Sequence, residues 1–167
     1  MRHNSDMATW QFDVHLIPRA ELLNIFGFLP AKIDKESFNA RNWWHNTKLP
    51  NGYREILSSF VPVGSSWCED IELWGDEEGD RIDVSHDEGR IDAVYVRISA
   101  ISLNKSFVSC VAQFAQTCDC LILTEDDQLI EPSPDLLGKA VLQSNAARFV
   151  ANPRKFLDDL GATEVES

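Results

Sequence analysis

The chain has 167 residues, with 15 Lys and Arg against 27 Asp and Glu, a formal charge of −12 and 44% apolar residues. These proportions exclude a disordered or low-complexity chain, and the length fits one domain with a sizeable core. The acidic balance disfavours a nucleic-acid binder, which needs a basic face to replace phosphate counterions, and it disfavours docking on anionic lipid.

Residues 1–8 are polar and read as a frayed terminus ahead of a single domain spanning 9–161, with a polar tail at 162–167. From Trp10 to Leu16 apolar and polar residues alternate, the period of a half-buried strand with His15 facing outward. Pro18 opens a helix carrying Leu22, Leu23 and Phe26, and Gly27 suits its end. Residues 28–50 are irregular. A helix from about Gly52 to Phe60 places Tyr53, Ile56, Leu57 and Phe60 on one face.

A breaker over 61–66 precedes an antiparallel meander at about 67–100. Its expected strands are Trp67–Trp74, Arg81–Ser85 and Arg90–Ala100. The turns between them are Asp76-Glu77-Glu78-Gly79 and Asp87-Glu88-Gly89. His86 is expected to be solvated beside the second turn. Downstream, Phe107, Val111, Phe114, Ala115 and Cys118 form a helical core stripe capped by Asn104 or Ser102. Cys120–Thr124 is a short strand that pairs back with Leu129-Ile130. Ser133-Pro134-Asp135 starts a helix running to about Val150, and Asn152-Pro153 starts another that ends at Gly161. Strands segregate from helices along the middle of the chain. The fold class is therefore α+β: a central antiparallel sheet with helices packed mainly on one face.

No uninterrupted apolar stretch approaches the ~20 residues of a membrane helix. The first ten residues hold no apolar core of a secretory leader. Cys68, Cys110, Cys118 and Cys120 are too sparse for a disulfide scaffold and lack metal-ligand spacing, so free thiols in the cytoplasm are expected. The sequence holds no nucleophile elbow, no phosphate-binding glycine loop and no paired-histidine metal motif. No cofactor, metal or catalytic residue is assigned.

Charge is distributed unevenly. Residues 69–92 hold eleven acids and two bases, a net of −9 out of the total of −12. Trp43, Trp44, Trp67 and Trp74 lie beside or inside this segment. Aromatic anchors ringed by charge suit a protein interface, because the anchors supply affinity and the charge speeds encounter. The expected contact set is Trp43, Trp44, Trp74, Asp76, Glu77, Glu78, Asp80, Asp87 and Glu88, presented to a basic protein partner. Self-association into a homo-oligomer is also compatible with the sequence. The alternative is a small hydrolase or divalent-metal enzyme in which Asp70, Asp83 and Asp92 meet across the meander. Arg81 and Arg90 are expected to pair with acids on neighbouring strands.

The run Trp74-Gly75-x-x-x-Gly79-x-Arg81-Ile82-Asp83-Val84, continued by Gly89-Arg90-Ile91 and Val96-Arg97-Ile98, resembles a hairpin pattern in a family of small uncharacterised bacterial proteins. Residues 145–157 are similar to the tail of the same group. Small acidic α+β proteins of this kind are similar in size and charge to the immunity proteins of bacterial toxin systems. The resemblance implies a non-enzymatic binding protein and carries no catalytic residue.

Overall fold

The computed structural model describes residues 10–152 together with Arg154, Lys155 and Asp158. Its strands are β1 (Gln11–Pro18), β2 (Ile71–Gly75), β3 (Arg81–Asp87), β4 (Arg90–Ser99), β5 (Cys120–Thr124) and β6 (Leu129–Ile130). Its helices are α1 (Arg19–Phe26), α2 (Lys35–Asn39), α3 (Tyr53–Phe60), α4 (Lys105–Thr117), α5 (Pro134–Leu142) and α6 (Asn145–Ala151). All strands join one antiparallel sheet in the order β2-β3-β4-β1-β5-β6, so the class is α+β with the meander at one side.

Alternation within the strands sorts the two faces. Phe12, Val14 and Leu16 of β1 lie level with Ile98 and Val96 of β4 and Ile122 of β5, and all are buried. Helices α3, α4 and α5 stack over this face. Asn104 caps α4 by accepting from the Phe107 N–H, and the Phe107–Cys118 stripe is buried as the spacing predicts. The second face carries Asp13, His15, Tyr95, Arg97, Arg81 and Asp83 by the same registers. Phe38 of α2 packs its ring 4.6 Å from the His15 ring on this side. Among the described residues no helix is long and apolar enough to cross a membrane.

Four expectations need correction. The irregular stretch 28–50 contains α2, held by the Asp34 carboxylate accepting from the Ser37 N–H. The first meander strand begins at Ile71, because Trp67–Asp70 closes a turn in which the Ile71 N–H donates to the Cys68 carbonyl. The helix expected to reach Val150 breaks into α5 and α6. Ser144 causes the break: its hydroxyl donates to the Val141 carbonyl and accepts from the Ala147 N–H, closing one helix and capping the next. His15 does point away from the core face of β1, but it is half-buried rather than solvent-facing, covered by the Phe38 and Tyr95 rings, with its Nδ1 buried and unpartnered among the described residues. The helix expected from Asn152 to Gly161 lies largely outside the described residues, as do residues 1–8 and the tail.

Candidate functional site: the two ends of the acidic meander

The acids of the meander do not form one surface. Strand β3 has seven residues, so the turns at its two ends lie about 20 Å apart at roughly 3.3 Å per residue. Asp76, Glu77, Glu78 and Asp80 sit at one end. Asp87 and Glu88 sit at the other, where the His86 N–H donates to the Asp70 carbonyl and so brings Glu69 and Asp70 alongside.

The β2–β3 end uses its acids to fold. Asp76 accepts from the Glu78 N–H at 2.9 Å, and the Asp76 N–H donates to the Asp80 carbonyl at 2.9 Å. Asp80 is half-buried, and its carboxylate accepts from the Ser99 N–H at 2.7 Å, tying the turn to the end of β4. Burial pushes the Asp80 carboxyl above its usual range, the Asp76 charge adds to this, and the Ser99 N–H opposes it. Gly75 stands at φ 101°, and a Cβ there would run into the Asp80 carbonyl oxygen. Among the described residues, the Glu77 and Glu78 side chains of this turn have no partner.

The β3–β4 end is built differently. Asp87 pairs with Arg90 across a two-residue loop, and both loop residues have positive φ: 52° at Glu88 and 79° at Gly89. That is the geometry of a primed hairpin turn, which needs no side-chain support. Glu69, Asp70, Asp87 and Glu88 are exposed, and none of their carboxylates makes a hydrogen bond or ion pair among the described residues. Trp67 lies two residues before Glu69 and is 63% exposed.

The tryptophans named from the sequence occupy other positions. Trp43, Trp44 and Trp74 are each 3% exposed. Their indole N–H groups donate to the Phe38 carbonyl, the Leu16 carbonyl and the Ser58 hydroxyl. They are core anchors that hold loops to the sheet, too buried to serve as anchors of a protein interface. The exposed aromatic beside the acids is Trp67, which the sequence placed in the cluster but not in the contact set.

The carboxylates proposed for hydrolysis do not converge. Asp83 is buried on the second sheet face and pairs with Arg81 at 3.1 Å. Asp92 is exposed, as the extra residue of the bulge opposite Ser85 and His86. Asp70 lies before β2 and is exposed. Among the described residues no group of three His, Cys, Asp or Glu could hold a metal ion. Arg81 pairs within its own strand rather than across strands, and Arg90 makes no ion pair among the described residues.

Two polar clusters escaped the sequence reading. Glu72 faces the helices and receives the Tyr53 hydroxyl at 2.5 Å, the Arg54 Nε at 2.5 Å and the His86 Nε2 at 2.7 Å. His86 is therefore bonded within the fold, not solvated. Burial alone would raise the Glu72 carboxyl, but hydrogen bonds from Arg54, Tyr53 and His86 outweigh it and hold the group below its usual range. On the opposite face the registers set out two rows, Arg81–Arg97–Asp13 and Asp83–Tyr95–His15. The Tyr95 hydroxyl donates to Asp13 at 2.7 Å, and both guanidinium groups lie about 6 Å from its ring. His15 Nδ1, Arg81 Nε and Asp83 Oδ1 are buried without a hydrogen-bond partner. Beside the array, Glu125 accepts from the Asp13 N–H at 2.8 Å. Burial pushes the Glu125 carboxyl up to about 7, against that hydrogen bond and with the Asp13 and Asp126 charges.

The cysteines are all free. Burial raises the thiol of Cys118 to about 12 and that of Cys120 further, so neither is poised as a thiolate. Compared with family models, curated proteins and solved structures, the chain matches none.

Proposed function

We propose that the protein is a non-enzymatic cytoplasmic binding module that presents the β3–β4 end of its meander to a basic protein partner, much as an immunity protein covers its toxin. One observation carries this reading: Trp67 stands 63% exposed two residues before Glu69, at the end of the meander where the carboxylates of Glu69, Asp70, Asp87 and Glu88 make no hydrogen bond or ion pair among the described residues. An exposed indole costs water contact and gives the fold little in return, whereas at an interface it supplies a rigid anchor. The like-signed patch repels a second copy of itself, so its occupant is a different chain with basic residues. Steering by such a patch raises association rates and makes them fall with salt.

The test uses the full chain as bait at low and moderate salt, followed by affinity measurements on whatever basic protein is retained. Trp67→Ala is expected to weaken that protein's binding by more than about tenfold, near the size of an interface hot spot. Affinity unchanged by Trp67→Ala, or the absence of any retained basic protein, overturns the reading.

A further inference from the structure

We propose that the cavity between the 44–48 turn and the β3–β4 hairpin is a binding site for a small organic anion. The cavity has a volume of about 540 Å³, within the range of small-molecule sites. Trp44 and Ile91 form its apolar wall, and His45, Asn46, Lys48 and Arg90 supply its polar groups.

The charge of this lining runs against the rest of the molecule. Acids outnumber Lys and Arg by 27 to 15 along the chain, yet no acid lines this cavity, which holds two permanent cations and an imidazole. Asp87 and Glu88 belong to the same hairpin but do not line the cavity. Neither Lys48 nor Arg90 makes an ion pair among the described residues. Lys48 and Arg90 thus bring to one hollow two cations that make no ion pair among the described residues.

The walls are fixed independently of any ligand. Trp44 is anchored by its indole N–H on the Leu16 carbonyl at 3.1 Å and by its backbone N–H on the Asn42 side chain at 2.8 Å. Asn46 reaches Glu21 at 3.4 Å, and the Thr47 N–H donates to the Trp44 carbonyl at 3.3 Å. Across the hollow, Arg90 is held by its strand pairing with Asp87 and by the two-residue turn. A site preformed in this way loses little ordering entropy on binding.

The lining selects the ligand class. A phosphate or carboxylate head is received by the guanidinium fork of Arg90 and the ammonium of Lys48. A flat or aliphatic body lies against Ile91 and the small accessible part of Trp44. An inorganic anion meets the cations but leaves the apolar wall wet. A neutral analogue covers the wall but leaves the cations unpaired.

The probes are phenyl phosphate, benzoate, inorganic phosphate and phenol, titrated into the full chain by calorimetry with tryptophan emission as a second readout. Phenyl phosphate or benzoate is expected to bind in the submillimolar range and to perturb the emission. Inorganic phosphate is expected to bind at least tenfold more weakly and phenol not measurably. Lys48→Met and Arg90→Met, both at exposed positions, are expected to keep the Tm of the parent and each to weaken binding of the organic anion about tenfold. Stronger binding of phenyl phosphate than of benzoate assigns a phosphate head, and the reverse assigns a carboxylate; either supports the site. Failure of both organic anions to bind at millimolar concentration overturns the proposal, as does binding that both substitutions leave unchanged.

Discussion

The two turns of the meander are alike in composition and unlike in use. Asp76-Glu77-Glu78-Gly79-Asp80 and Asp87-Glu88-Gly89 both join acids to a glycine. In the first, Asp76 and Asp80 are hydrogen-bond acceptors that close the turn and clamp it to β4. The Glu77 and Glu78 carboxylates take no part in this, and in the second turn backbone conformation alone makes the turn and every acid is left over among the described residues. Acid content is therefore a poor guide to a binding surface. What counts is whether a carboxylate already has a donor: one that accepts a backbone N–H is part of the fold, and one without a donor is available to a partner.

Substitutions at the two turns separate these two uses of an acid. Gly75→Ala has the largest expected effect, about 3 kcal/mol of lost stability, because the new Cβ meets the Asp80 backbone as well as an unfavourable φ. Gly89→Ala should cost only about 1 kcal/mol, since its surroundings are open and the strain is conformational alone. Chemical denaturation of both variants measures the difference, and equal losses would place the same demands on both turns.

Trp67→Ala is next, with binding weakened by about 2 kcal/mol and stability changed by less than about 0.5 kcal/mol. A stability loss of core size would instead make Trp67 a structural residue. Asp80→Ala is expected to cost about 1–2 kcal/mol by leaving the Ser99 N–H unpaired, while Asp87→Ala should be close to neutral.

The smallest effect concerns pH and separates the faces of the sheet rather than its ends. Glu125 has a folded value of about 7, above its unfolded value, so the folded state binds the extra proton. Its contribution is fully favourable below the unfolded value and is lost as pH rises towards 7. Glu125→Gln should flatten the fall in Tm between about pH 5 and 7 relative to the parent. An unchanged slope would assign that fall to other groups.

Much of the fold was legible because it is written locally. The alternation from Trp10 to Leu16, the Phe107–Cys118 stripe, the glycine of the second turn and the Ser133-Pro134 start each fix an element within a few residues. What escaped depends on distant partners. The burial of Trp44 depends on the Leu16 carbonyl and that of Trp74 on Ser58, which no spacing near either tryptophan announces. The polar array left a signal, an acid, base or tyrosine at i and i+2 in each of Asp13-x-His15, Arg81-x-Asp83 and Tyr95-x-Arg97. Those pairs become one array only once β1 is known to lie beside β4. The exposure of Trp67 follows from the chain turning at Cys68 before β2 begins, a boundary that alternation alone misplaces.

The β3–β4 end is the main guide for a basic partner, with Trp67 and four carboxylates unbonded among the described residues, against the two carboxylates of Glu77 and Glu78 at the other end. This is tested most directly by the association rate constant of two charge-reversed chains, Asp87→Lys/Glu88→Lys and Glu77→Lys/Glu78→Lys, measured against the same partner over a range of salt. The first is expected to slow association about tenfold at low salt and to flatten its salt dependence, and the second to change the rate by less than about threefold. Equal slowing by both, or greater slowing by the second, would contradict the account.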